Sequence, residues 1–178
     1  MTIDVKISPA YRTMQQELHK NPAYGVAAGH MAPIVKTLMQ RIGAKSLSDY
    51  GAGKCALRRG LEQNGVTDFT YYPYDPAFPE YGEPKPADLV CCIDVLEHIE
   101  MEFLPAVLQD LKRITRNVGF FSVHDGPATK MLPDGRNAHL IQQPDSWWLP
   151  KFWELFQINQ FQRRSDGFWV IAEPRRAG

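Results

Sequence analysis

Residues 46–57 read Ser-Leu-Ser-Asp-Tyr-Gly-Ala-Gly-Lys-Cys-Ala-Leu, and no other stretch constrains the fold as strongly. Ser46 to Tyr50 suits a short strand, the glycines force a sharp turn, and Lys54 to Asn64 has helical spacing with a stop at Gly65. A strand that turns through glycine directly into a helix opens a βαβ unit. Glycine lets the backbone approach a ligand with no Cβ in the way, and the next helix offers unpaired N–H groups at its start. The plain alternative is a tight turn with no ligand.

The alternation continues along the chain. Tyr11 to Lys20 predicts a short helix stopped by Asn21-Pro22, and Tyr24 to Gly29 a flexible connection. From Met31 to Ile42, Ile34, Val35, Leu38, Met39 and Ile42 recur at helical spacing, with Pro33 in the first turn and Gly43 as the stop. Asp68 to Tyr74 reads as a strand ending at Asp75, although Pro73 lacks a ladder donor. Pro76 to Pro86 is loop. Ala87 to Asp94 is a continuous apolar run, as in a parallel strand covered on both faces. Leu104, Val107, Leu108, Leu111 and Ile114 stripe a helix over Met101 to Thr115, and Val118 to Val123 is another buried strand. A polar loop, His124 to Gln143, precedes a helix over Asp145 to Phe156 with Asp145 as N-cap; Gln157 to Pro174 forms two strands turned at Ser165-Asp166-Gly167.

These elements predict an α/β, Rossmann-like fold: a mostly parallel sheet flanked by helices, with an antiparallel C-terminal hairpin at one edge. At 178 residues the chain suits one domain over 31–178, preceded by an N-terminal helical lid or extension over 1–30. Twenty basic residues balance twenty acidic ones, which removes the electrostatic case for nucleic acid or a membrane surface. Cys55, Cys91 and Cys92 are odd in number and show no CxxC spacing, so a zinc site of that kind is absent and a reduced, cytoplasmic setting is expected. The opening MTIDVKISPA lacks the apolar centre of a signal peptide, and no apolar run reaches membrane-span length.

Two cofactors compete for the glycine loop. As GxGxxA, Gly51, Gly53 and Ala56 match a dinucleotide fingerprint, with Asp75 where a ribose ligand belongs. As DxGxG, Asp49 to Gly53 resembles motif I of the class I S-adenosylmethionine-dependent methyltransferases. Tyr74-Asp75-Pro76 resembles the acidic motif after that family's second strand, and Asp94-Val95-Leu96-Glu97-His98 resembles its next motif, in which an apolar strand runs into D-V-L-E-H. A chain of this length also leaves no room for the separate substrate domain of a dehydrogenase. The resemblance covers about residues 30 to 172, including short bacterial and phage methyltransferase-domain proteins.

It implies S-adenosylmethionine as cofactor, held by Asp49, Tyr50, Gly51, Ala52 and Gly53, by Asp75 and Pro76, and by Asp94, Val95 and Leu96. The departures are Cys55, which stands where a third glycine is common and narrows the approach, and the proline-rich loop, which shortens the adenine-side helix and strand. Phe78 from that loop is a candidate to cover the adenine.

Methyl transfer from a sulfonium needs alignment and, for an oxygen or nitrogen acceptor, removal of a proton. Histidine suits that task, and His98, His124 and His139 lie at strand ends or in the long polar loop. His30, beside Gly29, could contact the cofactor from the N-terminal lid, but a solvated helix start is the plainer reading. Asp94, Glu97 and His98 could hold a divalent ion, but their spacing is generic and no metal is assigned. Trp148, Phe152 and Phe156 share a face that packs on the sheet; Trp147 and Trp153 are left for an acceptor pocket or a subunit interface, so a homo-oligomer stays open. Asp94-Val95-Leu96-Glu97 replaces the motif of amino-group DNA methyltransferases, and no Pro-Cys nucleophile exists. The expected function is methyl transfer to O or N of a small-molecule, sugar or nucleotide-like acceptor. The rivals are a catalytically silent cofactor-binding or partner subunit and an NAD-dependent oxidoreductase.

Overall fold

In the computed structural model, which describes residues 6–175, β3 (Ala87–Ile93) is buried on both sides. Leu89, Cys91 and Ile93 join one apolar cluster, Val90 and Cys92 the other. That is the condition for helices on both faces of a parallel sheet. Beside β3 lie β1 (Ser46–Tyr50), β2 (Thr70–Tyr74), β4 (Thr115–His124), β5 (Phe156–Arg163) and β6 (Gly167–Pro174). The order is β2-β1-β3-β4-β6-β5; β2, β1, β3 and β4 are parallel, and β6 and β5 return antiparallel. The expected mostly parallel sheet with an antiparallel C-terminal hairpin is present.

One face carries α2 (Ala32–Ile42) and α3 (Ala56–Gln63), packed through Val35, Leu38, Leu57 and Leu61 onto Leu47, Leu89 and Phe120. The other carries α4 (Leu104–Ile114) and α5 (Asp145–Leu155), packed through Leu108, Leu111, Trp148 and Phe152 onto Phe121 and Val170. Phe120 and Phe121 thus serve opposite cores, as strand alternation requires. Gly43 ends α2 in the left-handed conformation, φ 64°, as a glycine stop should.

Several expectations shift. α1 spans Pro9–His19, because Ser8 caps it by accepting the Tyr11 amide at 3.2 Å. The connection after it contains a 3-10 turn at Ala27–Met31. α3 starts two residues later than Lys54, since Cys55 is left-handed (φ 56°) and cannot belong to a right-handed helix. Asp145 is not the N-cap of α5: Pro144 holds that position, and the Asp145 carboxylate lies 3.8 Å from Arg163. Pro73 is accommodated because β2 is an edge strand. Between β2 and β3 only a single 3-10 turn, Pro79–Tyr81, replaces a full helix and strand.

α1 and the residue Ile7 before it pack on the 126–143 loop, where Ile7 and Tyr11 meet Leu132 and Ala138. This third cluster roofs the carboxyl ends of the parallel strands. Among the described residues no helix is long and apolar enough to cross a membrane.

Candidate functional site

β1 leads to β2 on one side, and β3 then falls on the other, so the strand order reverses between β1 and β3. Ligands of open α/β sheets bind at the carboxyl ends of the strands beside such a switch point. A cavity of about 400 Å³ opens there, within the range of small-molecule sites. Its floor is made by Tyr50 to Gly53 after β1, Asp75 to Ala77 after β2, Asp94 and Val95 after β3, and His124 at the end of β4.

The glycine turn is fixed from within. The Gly51 and Ala52 amides donate to the Tyr74 carbonyl at 2.7 and 2.9 Å, Gly53 donates to Asp75 Oδ2 at 3.0 Å, and Cys55 donates to the Ala52 carbonyl at 2.7 Å. Gly51 (φ 82°) and Gly53 (φ 47°) occupy left-handed backbone. A Cβ on Gly51 would lie 2.4 Å from Val95 Cγ2, and one on Gly53 2.7 Å from His19 Cε1. Glycine is required on both counts.

Asp75 also accepts the Ala77 amide through Oδ1 at 2.9 Å, and burial pushes its carboxyl above the usual carboxylate range. Among the described residues Asp94 joins Cys55 as a non-glycine residue in left-handed backbone, φ 52°. Its amide donates to Ser122 Oγ at 3.0 Å, and Ser122 Oγ donates back to its Oδ1 at 2.8 Å. In this conformation Asp94 lines the cavity with Oδ1 turned to Ser122.

The opposite wall holds imidazoles. His98 donates Nδ1–H to the Ala138 carbonyl at 2.7 Å, and His139 donates Nδ1–H to the Gly126 carbonyl at 2.7 Å. The His139 ring centroid lies 4.8 Å from that of His98 and 4.7 Å from that of His124. Burial lowers His98 to about 4 and also lowers His139, so His98 is neutral at physiological pH. His124 Nδ1 accepts the Gly126 amide at 3.3 Å, which leaves its proton on Nε2. Beneath them Glu97 is fully buried; its Oε1 accepts the His124 amide at 3.1 Å, while burial and the nearby Asp94 charge push its carboxyl well above the ordinary range.

Of the residues singled out from sequence, Tyr50, Gly51, Ala52, Gly53, Asp75, Pro76, Asp94, Val95, His98, His124 and His139 meet at this cavity. Asp49, Phe78 and Leu96 do not line it. Asp49 is buried and accepts the Tyr71 hydroxyl at 2.5 Å, on the face of β1 opposite to Tyr50. Phe78 packs edge-on to His19 and stacks on Tyr81. Leu96 is wholly within the core. Cys55 does not narrow the approach, because its thiol lies 3.6 Å from the Tyr81 hydroxyl, outside the cavity. Trp147 lies under Lys151, with Nζ 3.6 Å from the ring centroid, and Trp153 is 51% exposed; neither lines the cavity. The N-terminal segment expected as a lid contributes residues that its sequence did not single out: Tyr11, Gln15 and His19 from α1, and Tyr24 from the connection after it, line the cavity.

No family model matches the chain, and no curated protein matches its sequence. Among solved structures it is similar to the 1,6-didemethyltoxoflavin-N1-methyltransferase of Burkholderia thailandensis with bound 1,6-didemethyltoxoflavin and S-adenosylhomocysteine: 15% identity, 96% of this chain and 92% of that one, TM-score 0.58. It is similar to the magnesium protoporphyrin IX methyltransferase of Synechocystis PCC 6803 with bound S-adenosylmethionine: 15% identity, 84% of this chain, 81% of that one, TM-score 0.57. An O-methyltransferase family protein of Burkholderia thailandensis matches at 9% identity and TM-score 0.51; 83% of this chain is covered, but the match spans only 58% of that chain. The fold is that of the class I S-adenosylmethionine-dependent methyltransferases.

Proposed function

We propose that this chain is an S-adenosylmethionine-dependent methyltransferase acting on an oxygen or nitrogen of a small-molecule, sugar or nucleotide-like acceptor. The observation that carries it is one cavity joining the Gly51–Gly53 turn and Asp75 to the imidazole wall. Solved proteins of this fold hold the same cofactor or its product.

The residues fit that cofactor better than a dinucleotide. A pyrophosphate needs free amides in the glycine turn, but those of Gly51, Ala52, Gly53 and Cys55 already have partners. A sulfonium cofactor brings no phosphate. Asp75 keeps unused lone pairs on both oxygens and can accept from two ribose hydroxyls. Asp94 and Val95 bound the cavity beside Gly51, where the amino-acid part of the cofactor belongs.

S-adenosylmethionine supplies a methyl group already activated on sulfur. What remains for the chain is to exclude water, align the acceptor and manage its proton. α1 and Tyr24 roof the cavity, and His98, His124 and His139 are the groups that orient the acceptor. A silent binding subunit has no use for imidazoles whose rings are locked by backbone hydrogen bonds.

Calorimetry with S-adenosylhomocysteine and, separately, NAD tests the cofactor. Micromolar or tighter binding of the first alone is expected. Binding of NAD alone would overturn the assignment. Product formation on a hydroxyl- and amine-bearing acceptor panel then separates an enzyme from a silent subunit.

A further inference from the structure

Glu97 carries a carboxylate that the fold leaves half satisfied. Its Oε1 has the His124 amide, but Oε2 is buried with no hydrogen-bond partner, in a side chain with 0% exposure. A buried acceptor without a donor is costly, so this oxygen calls for a cation. One ligand atom each from Glu97, His98 and His139 lie within 4.8 Å of one another. Both rings donate Nδ1–H to backbone carbonyls, which fixes their tautomers and leaves the Nε2 lone pairs unengaged by those bonds. Histidines that ligate metals are held in this way.

We propose that Glu97, His98 and His139 form a binding site for a divalent transition-metal ion of the zinc, manganese or iron(II) class. Two imidazoles and one carboxylate suit those ions, whereas magnesium and calcium prefer oxygen throughout. Ligands about 2.0–2.2 Å from a common ion stand roughly 3–4 Å apart, so small side-chain rotations close the site. His124 is no fourth ligand in this arrangement, because its Nδ1 accepts the Gly126 amide and its Nε2 therefore carries the proton instead of a free lone pair. Asp94 adds negative charge close to both Glu97 and His139.

Three protein ligands leave an open coordination position toward the cavity, as in catalytic metal sites. An acceptor oxygen is the natural occupant, which narrows the acceptor class to hydroxyl-bearing compounds. That role rests on the methyltransferase reading; the site itself does not. Spacing along the sequence could not assign it, because His139 comes from the 126–143 loop and only the fold brings it to Glu97 and His98.

The test is titration of the chelator-treated full chain with Co²⁺, followed by its visible absorption, with Zn²⁺ as competitor and no cofactor present. One equivalent with nitrogen-ligand bands is expected. His139→Gln and Glu97→Gln should each weaken uptake by about 100-fold or more, since losing a ligand outweighs the 10–100-fold loss of a supporting hydrogen bond. His139 lies in a loop, so its variant remains informative if Glu97→Gln does not fold. Absence of stoichiometric uptake by the folded chain, or uptake that neither variant weakens, overturns the site. Metal uptake without S-adenosylhomocysteine binding upholds the site and overturns the methyltransferase reading.

Discussion

Asp75 Oδ2 accepts the Gly53 amide at 3.0 Å, so the acid that ends β2 holds the glycine turn that ends β1. Its other oxygen caps the Ala77 amide. One side chain therefore shapes two walls of the cavity before any ligand arrives. Asp75→Ala removes both bonds and the oxygens proposed to accept the ribose hydroxyls. Hydrogen bonds to a charged group are worth about 1.5–3 kcal/mol each, so S-adenosylhomocysteine affinity should fall roughly 10–100-fold or more. Asp75→Asn keeps one acceptor and should fall between. Calorimetry decides; unchanged affinity in Asp75→Ala would remove Asp75 from the cofactor site.

Gly51 and Val95 touch across the switch point. A methyl on Gly51 would overlap Val95 Cγ2, and the left-handed φ of 82° adds backbone strain. Gly51→Ala should destabilise the fold by on the order of 2–4 kcal/mol, of which left-handed backbone accounts for about 1–2. Adding Val95→Ala should recover the steric part and leave the backbone part. Urea unfolding of the two single variants and the double variant measures the coupling. Simple additivity would show that the contact is not what forbids a side chain at position 51.

The parts of the site that were legible in sequence are local. A strand, a glycine turn and an acid at the next strand end obey rules that act over a few residues, and Gly51, Gly53, Asp75 and Asp94 all line the cavity. Asp49 shows the limit of motif reading. Successive strand residues face opposite sides, so Tyr50 and Asp49 cannot both look into one cavity, and Asp49 turns to Tyr71. Phe78, the candidate to cover an adenine, does not line the cavity and packs edge-on to His19, a residue distant in sequence. An N-terminal lid is legible in the sequence, but which of its residues face the strand ends is not, because the packing of His19 and Tyr24 is decided by contacts distant in sequence.

Asp49 makes a pH-dependent contribution whose sign can be stated. Burial pushes its carboxyl up from 3.8 to about 7, with the Tyr71 hydroxyl bond opposing that shift. The neutral acid is the form the fold prefers, so its contribution is complete below the ordinary 3.8 and is lost as pH rises toward 7. Asp49→Asn cannot ionise and should gain on the parent chain as pH rises. Between pH 5 and pH 8 the stability difference should move in favour of the variant by on the order of 2–3 kcal/mol. Denaturant unfolding at the two pH values reads it. A difference that stays constant would mean that Asp49 is ionised in the fold at both.

Glu100 anchors the start of α1. Its Oε2 accepts the Ser8 amide and its Oε1 the Ser8 hydroxyl, both at 2.7 Å, while Ser8 Oγ accepts the Tyr11 amide as N-cap. The ion pair of Lys6 with Asp110, 3.0 Å apart and buried, fixes the same segment to α4. Because α1 presents Tyr11, Gln15 and His19 to the cavity, loosening its first turn should open the roof without disturbing the sheet. Glu100→Ala removes two charge-assisted bonds of about 1.5–3 kcal/mol each and leaves the start of α1 held by the Lys6–Asp110 pair and by Ile7. Amide exchange within residues 9–19 should accelerate about 10–100-fold, while β3 and β4 keep their protection. S-adenosylhomocysteine should bind more weakly, and faster dissociation should account for most of the loss, since a roof that opens more often releases its ligand more often. Glu100→Gln retains an acceptor for the Ser8 amide and should show a smaller effect of the same kind. Unaltered exchange in α1, or acceleration spread evenly over the sheet, would rule out a locally anchored roof.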